Sequence, residues 1–187
     1  MQVKMIRRLR TKITLAVPLL LMAIAWYFGP PALTWPWWLG GVVGVIGGTA
    51  MRLWASGYLL KDERVIREGP FHFTRNPLYL GTTLIGLGFA ALTGRWESVI
   101  LVALTVALVY QPTIYWEEQF LTDRFGEDYL AYMHTVPRWV PRMRGSFEPA
   151  LSFARYRWTL VKHHQEHVHL SLHLAMLLAF IIIDCVK

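Results

Sequence analysis

The sequence predicts an all-α integral membrane protein with about five transmembrane helices, cytosolic loops that carry the chemistry, and a surface amphipathic helix. Three observations lead there. Apolar residues make up 55% of the chain and charged residues only 17%, against about 45–50% and about 25% in a soluble domain. The apolar residues are gathered in long runs of the length a bilayer requires. The 19 Lys and Arg residues sit in alternate connections between those runs, the pattern of a positive-inside topology. The single cysteine excludes an internal disulfide framework.

The first run covers residues 13–28 and follows a basic stem of Lys4, Arg7, Arg8, Arg10 and Lys12. That stem also suits a signal peptide. However, the run closes on Trp26-Tyr27-Phe28-Gly29-Pro30-Pro31 and lacks a small-residue cleavage site, so a permanent helix is predicted. Residues 37–55 form the second run. Its Gly40, Gly41, Gly44, Gly47 and Gly48 suit close helix approach in lipid. Residues 78–93 and 98–116 are the third and fourth runs, and residues 170–186 a shorter fifth.

Of the 19 cationic residues, 17 fall on one side when the N-terminus is cytoplasmic; Arg95 and Lys187 are the exceptions. This explains the net charge of +7 as orientation. No nucleic-acid-binding motif is present, and nucleic acid is not expected as a partner. Membrane lipids and a lipophilic substrate drawn from the bilayer are. The chain is predicted to be a single membrane domain over 1–187. Its core is 40–142; 143–187 adds an amphipathic helix and the fifth span. The outer connections are short and the inner ones long, about 20 residues around 61–75 and about 50 after Trp116, and long loops in compact proteins usually carry function.

The first inner loop contains Gly69-Pro70-Phe71 and then Arg75-Asn76-Pro77-Leu78-Tyr79-Leu80-Gly81. Asn76 is a good N-cap residue, with Pro77 at the first helical position. The helix start then offers backbone N–H groups to an anion. The second inner loop opens with Glu117-Glu118-Gln119-Phe120-Leu121. Negative charge at a helix C-terminus opposes the helix dipole. Either the helix continues into the cytosol or a cation is near. Phe125, Tyr129 and Tyr132 then share one face of a predicted surface helix, and Val136-Pro137-Arg138 follows. Phe147, Leu151, Ala154, Trp158 and Val161 form the stripe of the amphipathic helix. Next to it, His163/His167 and His169/His173 have a spacing that can chelate a metal, but without the order of a known metal motif. No metal is predicted.

These pieces, in this order, resemble the isoprenylcysteine carboxyl methyltransferase family, with the phospholipid N-methyltransferases as relatives. The resemblance implies an integral-membrane transferase that uses S-adenosylmethionine. It implies cofactor contacts at Val65, Ile66, Phe71, Asn76, Pro77, Leu78, Tyr79 and Glu117. Glu118 and Arg138 are the catalytic candidates. The chemistry agrees: an ammonium and a sulfonium suit a carboxylate and aromatic faces. Two departures stand out. Asn76 replaces the histidine of many members and excludes a histidine proton role there. Thr113 replaces an arginine that, in the eukaryotic enzymes, lies one turn before the glutamate pair. Arg138 is then the cation left for a substrate carboxylate. The acceptor expected first is an isoprenylcysteine-like carboxylate. A phospholipid amine or a small thiol is the alternative, and an amine acceptor would need Glu117, Glu118 or Tyr129 to take its proton. An NADPH-dependent membrane reductase and a non-enzymatic membrane scaffold are the rival classes.

Overall fold

The structure is a computed structural model that describes residues 16–17, 19–28, 35–60, 63–142 and 155–186. The basic stem, residues 29–34, and Phe147, Leu151 and Ala154 of the predicted stripe lie outside the described residues. Among the described residues there are helices and connecting turns and no strand. The helices are α1 (Leu19–Phe28), α2 (Trp35–Ser56), α3 (Pro77–Thr93), α4 (Trp96–Phe125), α5 (Glu127–Thr135), α6 (Trp158–His163) and α7 (Glu166–Val186). A 3-10 turn, Gly69–His72, precedes α3.

Two of these helices are long and apolar enough to cross a membrane: Trp96–Phe125 and Glu166–Ile183. Leu19–Phe28 and Pro77–Thr93 are apolar but shorter. Helix α2 has 22 residues, and its glycines and tryptophans dilute its hydropathy. The count of five spans is therefore not established by length and composition alone. The surface carries a second signature. Leu19, Val43, Ile46, Leu104, Leu108, Leu178 and Ile182 are exposed, and a soluble protein rarely displays so continuous an apolar surface. Exposed rings collect at both ends. Trp26, Tyr27, Phe28, Trp35, Trp37 and Trp96 lie at one end, and Tyr115, Trp116 and Trp158 at the other, like the aromatic belts of membrane proteins.

Helices α2 and α3 pack through glycine. A Cβ on Gly48 would meet the Gly81 carbonyl oxygen at 2.5 Å, and one on Gly88 the Gly41 carbonyl at 2.7 Å. The small-residue stripe read from the sequence is thus a backbone-to-backbone contact. The bundle core adds Leu21 and Ala25 of α1, Val45 of α2, Ile85 and Phe89 of α3, Val102 of α4, and Met176 and Phe180 of α7. Phe89 and Phe180 stack with centroids 5.5 Å apart. Polar groups fasten α7 to this core. Arg52 donates to both Glu166 oxygens (2.6 and 3.0 Å) and to Thr82 Oγ1. Deeper, Thr49 Oγ1 meets His173 Nδ1 at 3.1 Å.

The α3–α4 hairpin turns at Gly94, in the left-handed region at φ 63°. Helix α4 then runs 30 residues, about 45 Å at 1.5 Å per residue. That is longer than a hydrocarbon layer of about 30 Å. A π turn, Val106–Tyr110, interrupts it. Pro112 follows and has no N–H for the carbonyl four residues back, which favours such a local rearrangement.

Candidate active site

The loop before α3 is shaped by Gly69. Its φ of +59° suits glycine, and a Cβ there would lie 2.5 Å from the Tyr58 ring. Ile66, Phe71 and Tyr58 pack with Ala55 in a buried cluster that Leu78 flanks. Tyr132 donates its hydroxyl proton to the Phe71 carbonyl at 2.7 Å. The loop is also tied to the segment after α5. Arg75 N–H donates to the Pro137 carbonyl (2.9 Å) and Arg142 N–H to that of Phe73 (3.0 Å). Thr74 Oγ1 bridges to the carbonyls of Arg138 and Trp139. These bonds bring Arg138 beside the start of α3, 62 residues away from Asn76.

Glu118 is the centre of the site. It is 4% exposed. Arg138 donates to one oxygen from Nε (3.1 Å) and from a terminal nitrogen (2.6 Å). Arg75 Nε lies 3.1 Å from the other oxygen. This contact is an ion pair rather than a hydrogen bond, since its angle leaves Nε without a hydrogen-bond acceptor. Arg75 hydrogen-bonds through its terminal nitrogen to the Met133 carbonyl. Asn76 Nδ2 adds a contact of 3.3 Å to Glu118. Two guanidinium groups thus share one carboxylate and leave a net positive centre. Arg75 is 10% exposed and Arg138 36%.

Glu117, one residue earlier, points differently. It accepts a hydrogen bond from the Tyr79 hydroxyl at 3.1 Å. The Tyr79 ring lies 5.5 Å from that of Tyr110. A carboxylate and two aromatic rings therefore meet beside the N-terminus of α3. The sequence-predicted residues separate into two groups. Asn76, Tyr79, Glu117, Glu118 and Arg138 converge by direct contacts at the start of α3, where Pro77 is buried. Ile66, Phe71 and Leu78 form the adjoining apolar cluster, and Val65 is only half-buried beside them.

Three readings change, and one alternative left open by the sequence is decided. Asn76 occupies the N-cap position, but its side chain makes no cap bond; it turns to Glu118 and to the Arg138 carbonyl. Helix α4 continues past the glutamate pair to Phe125, so neither glutamate sits at a helix C-terminus, and the dipole objection falls. Gly126, at φ 55°, separates Phe125 from α5, so the three rings do not share a helix. Tyr129 and Tyr132 are buried rather than at the surface. Burial, with the Glu118 charge second, raises the Tyr129 pKa well above its ordinary value, which works against a role as general base. The motif itself assigns no role to Arg75. A cation next to Asn76-Pro77 was the only local signal for it. Of the histidines, His169 and His173 keep their rings stacked 6.5 Å apart, His173 also meets Thr49, and His164 Nε2 meets the Leu59 carbonyl at 3.0 Å. Among the described residues no group of three His, Cys, Asp or Glu is placed to hold a metal.

This site lies almost wholly within one recognisable unit. Residues 48–128 match the phospholipid methyltransferase family model. The match includes Asn76, Tyr79, Glu117 and Glu118 and ends before Arg138. The chain is 31% identical over 81 residues to a protein-S-isoprenylcysteine O-methyltransferase of Schizosaccharomyces pombe, covering 43% of this chain and 34% of that one. It is 33% identical over 105 residues to the cobalt-zinc-cadmium resistance protein CzcN of Cupriavidus metallidurans, covering 55% and 48%. It is also 33% identical over 103 residues to the steroid 5-alpha-reductase DET2 of Solanum lycopersicum, covering 51% and 40%. The chain therefore spans about half or less of the length of these relatives. No solved structure matches it. The resemblance to the isoprenylcysteine methyltransferases read from the motifs is upheld by these matches.

Proposed function

We propose that this chain is a membrane enzyme that transfers a methyl group from S-adenosylmethionine to a lipophilic acceptor, an isoprenylcysteine-like carboxylate first. In this reading the helices form about five spans, with the N-terminus and the site on the cytosolic side. The observation that carries it is the meeting of Glu117, Tyr79 and Tyr110 at the N-terminus of α3, beside a net cationic centre at Glu118.

The residues fit the cofactor. The Glu117 carboxylate and the faces of Tyr79 and Tyr110 suit an ammonium and a sulfonium. The N–H groups at the start of α3 suit a carboxylate. When bound, S-adenosylmethionine supplies an electrophilic methyl group. A carboxylate acceptor needs no base. Of the candidates for an amine acceptor, Glu118 has both oxygens engaged and burial works against loss of the Tyr129 proton, which leaves Glu117. Rate enhancement then comes from positioning and from excluding water. With Glu117 matched by the cofactor's ammonium, Arg75 and Arg138 leave one positive charge beyond that of Glu118, which favours an anionic acceptor, and Arg138 keeps enough exposure to meet one.

The test is incubation of purified protein with methyl-labelled cofactor and either farnesylcysteine or phosphatidylethanolamine. The expected result is label on farnesylcysteine, lost in Arg138→Ala with cofactor binding retained. Arg138→Lys should rescue poorly, because lysine lacks the planar fork. Label on phosphatidylethanolamine alone would move the acceptor to an amine; label on neither would overturn both. A second reading, an NADPH-dependent reductase, is favoured by the match to the tomato steroid 5-alpha-reductase. It predicts nicotinamide oxidation without methyl transfer.

A further inference from the structure

Helices α3 and α4 touch near Gly86, where a Cβ would lie 3.2 Å from a Val102 methyl group. Beside the π turn Val106–Tyr110 lies a cleft of about 340 Å³, whose lining includes Thr83 and Leu87 of α3 and Val102, Val106, Ala107 and Gln111 of α4. That volume is within the range of small-molecule sites, roughly 300–1,000 Å³. Its lining is almost wholly apolar, and π turns often occur at functional sites.

Gln111 is the exception in that lining. It is half-buried, and its amide has no hydrogen-bond partner among the described residues. It lies fifteen residues from Trp96 along α4, about 22 Å, and so within a hydrocarbon layer of about 30 Å counted from the aromatic belt. Tyr115 of the other aromatic belt is four residues further on, about 6 Å, so the amide lies near the polar end of the cleft. Gln111 also precedes Glu118 by seven residues on the same helix face, two turns or about 10 Å. The polar end of the cleft adjoins the site already described: Thr83 Oγ1 donates to the Tyr79 carbonyl at 2.9 Å, and Tyr110 precedes Gln111 in the chain.

We propose that this cleft holds the hydrocarbon chain of the acceptor, and that Gln111 hydrogen-bonds a neutral amide or ester group at the head of that chain. The proposal rests on the methyltransferase reading. The cleft is one gap between two helices wide and, from Val102 to Gln111, nine residues or about 13 Å long. It therefore suits one chain rather than two, and Gln111 acts as a specificity-determining residue.

The experiment has two arms on the full chain in nanodiscs. The first photolabels with N-acetyl-S-farnesylcysteine carrying a diazirine on its chain and maps the label by mass spectrometry. Label on Val102–Gln111 or Thr83–Leu87, competed by unlabelled N-acetyl-S-farnesylcysteine, is expected. Label elsewhere, or label there without competition, overturns the proposal. The second compares Gln111→Leu with wild type on N-acetyl-S-farnesylcysteine and on S-farnesylthiopropionate, which lacks the amide. The KM should rise roughly 3- to 10-fold on the first and stay level on the second, with S-adenosylhomocysteine affinity unchanged. Equal effects on both acceptors, or none on either, overturn the role of Gln111. If competed label appears while wild type neither binds S-adenosylhomocysteine nor transfers methyl, the cleft stands and the methyltransferase reading falls.

Discussion

Replacing Glu118 by Gln removes the one carboxylate that two arginines share. The side chain keeps its size, so the effect is electrostatic. Arg75 is left 10% exposed with its ion-pair partner gone. Breaking a buried pair by removing one partner costs about 3–5 kcal/mol. Arg138 is 36% exposed and can rehydrate, which places the cost near the lower end, about 3 kcal/mol. For a chain of this length a loss of 1 kcal/mol lowers Tm by about 2–4 °C, so a fall of about 6–12 °C is expected. The nine tryptophans give the fluorescence readout in detergent. Arg138→Leu in the same background should be less than additive, since the two residues form one network. A fall no larger than that of the exposed Asp123→Asn would refute the picture of a buried carboxylate holding two elements together.

Three further outcomes follow from the structure. Gly48→Ala forces its Cβ against the Gly81 carbonyl and should lower stability by about 1–3 kcal/mol, while Gly40→Ala and Gly47→Ala meet nothing within 4 Å and should be neutral or slightly stabilising, as thermal unfolding will report. Burial raises the Glu68 pKa, but Arg64, the Arg67 backbone N–H and Arg155 outweigh it and hold the carboxyl below its ordinary value. Its contribution is therefore complete above the unfolded-state pKa and lost as pH falls through the folded one; Glu68→Gln should cost about 0.2–1 kcal/mol at neutral pH, a gap that closes in acid unfolding curves. In a Cys185→Ser background, Glu97→Cys should label from outside and Asp123→Cys only from the cytosol; the reverse would overturn the orientation.

The sequence made the all-α class legible because hydrophobic runs and helices coincide here. The start of α3 was marked by Asn76-Pro77, and the α2–α3 contact by its glycines. The end of α4 was not legible. Its apolar run stops at Trp116, and the charges after it read as an exit from the bilayer. The apolar run does stop there, but the helix itself continues for about two more turns, to Phe125. The roles within the site were hidden for a different reason. Glu118 is buried by Arg75 and Arg138, which are distant in sequence, and no local pattern reports such a pairing. Asn76 looked like a cap because its position is a cap, yet a carboxylate nearby competes for its amide. The histidine spacing allows chelation without predicting it; in the fold His173 meets Thr49 of α2, and His164 meets the Leu59 carbonyl beyond the end of α2.

The central claim is that Glu117 and the start of α3 hold a sulfonium cofactor. Its most direct test is calorimetric titration of the purified protein with S-adenosylhomocysteine and, separately, with NADPH. Saturable binding of S-adenosylhomocysteine is predicted, weakened roughly 10- to 150-fold in Glu117→Gln by loss of a charge-assisted hydrogen bond, with no binding of NADPH. Saturable NADPH binding without S-adenosylhomocysteine binding, or unchanged affinity in a folded Glu117→Gln variant, would contradict it.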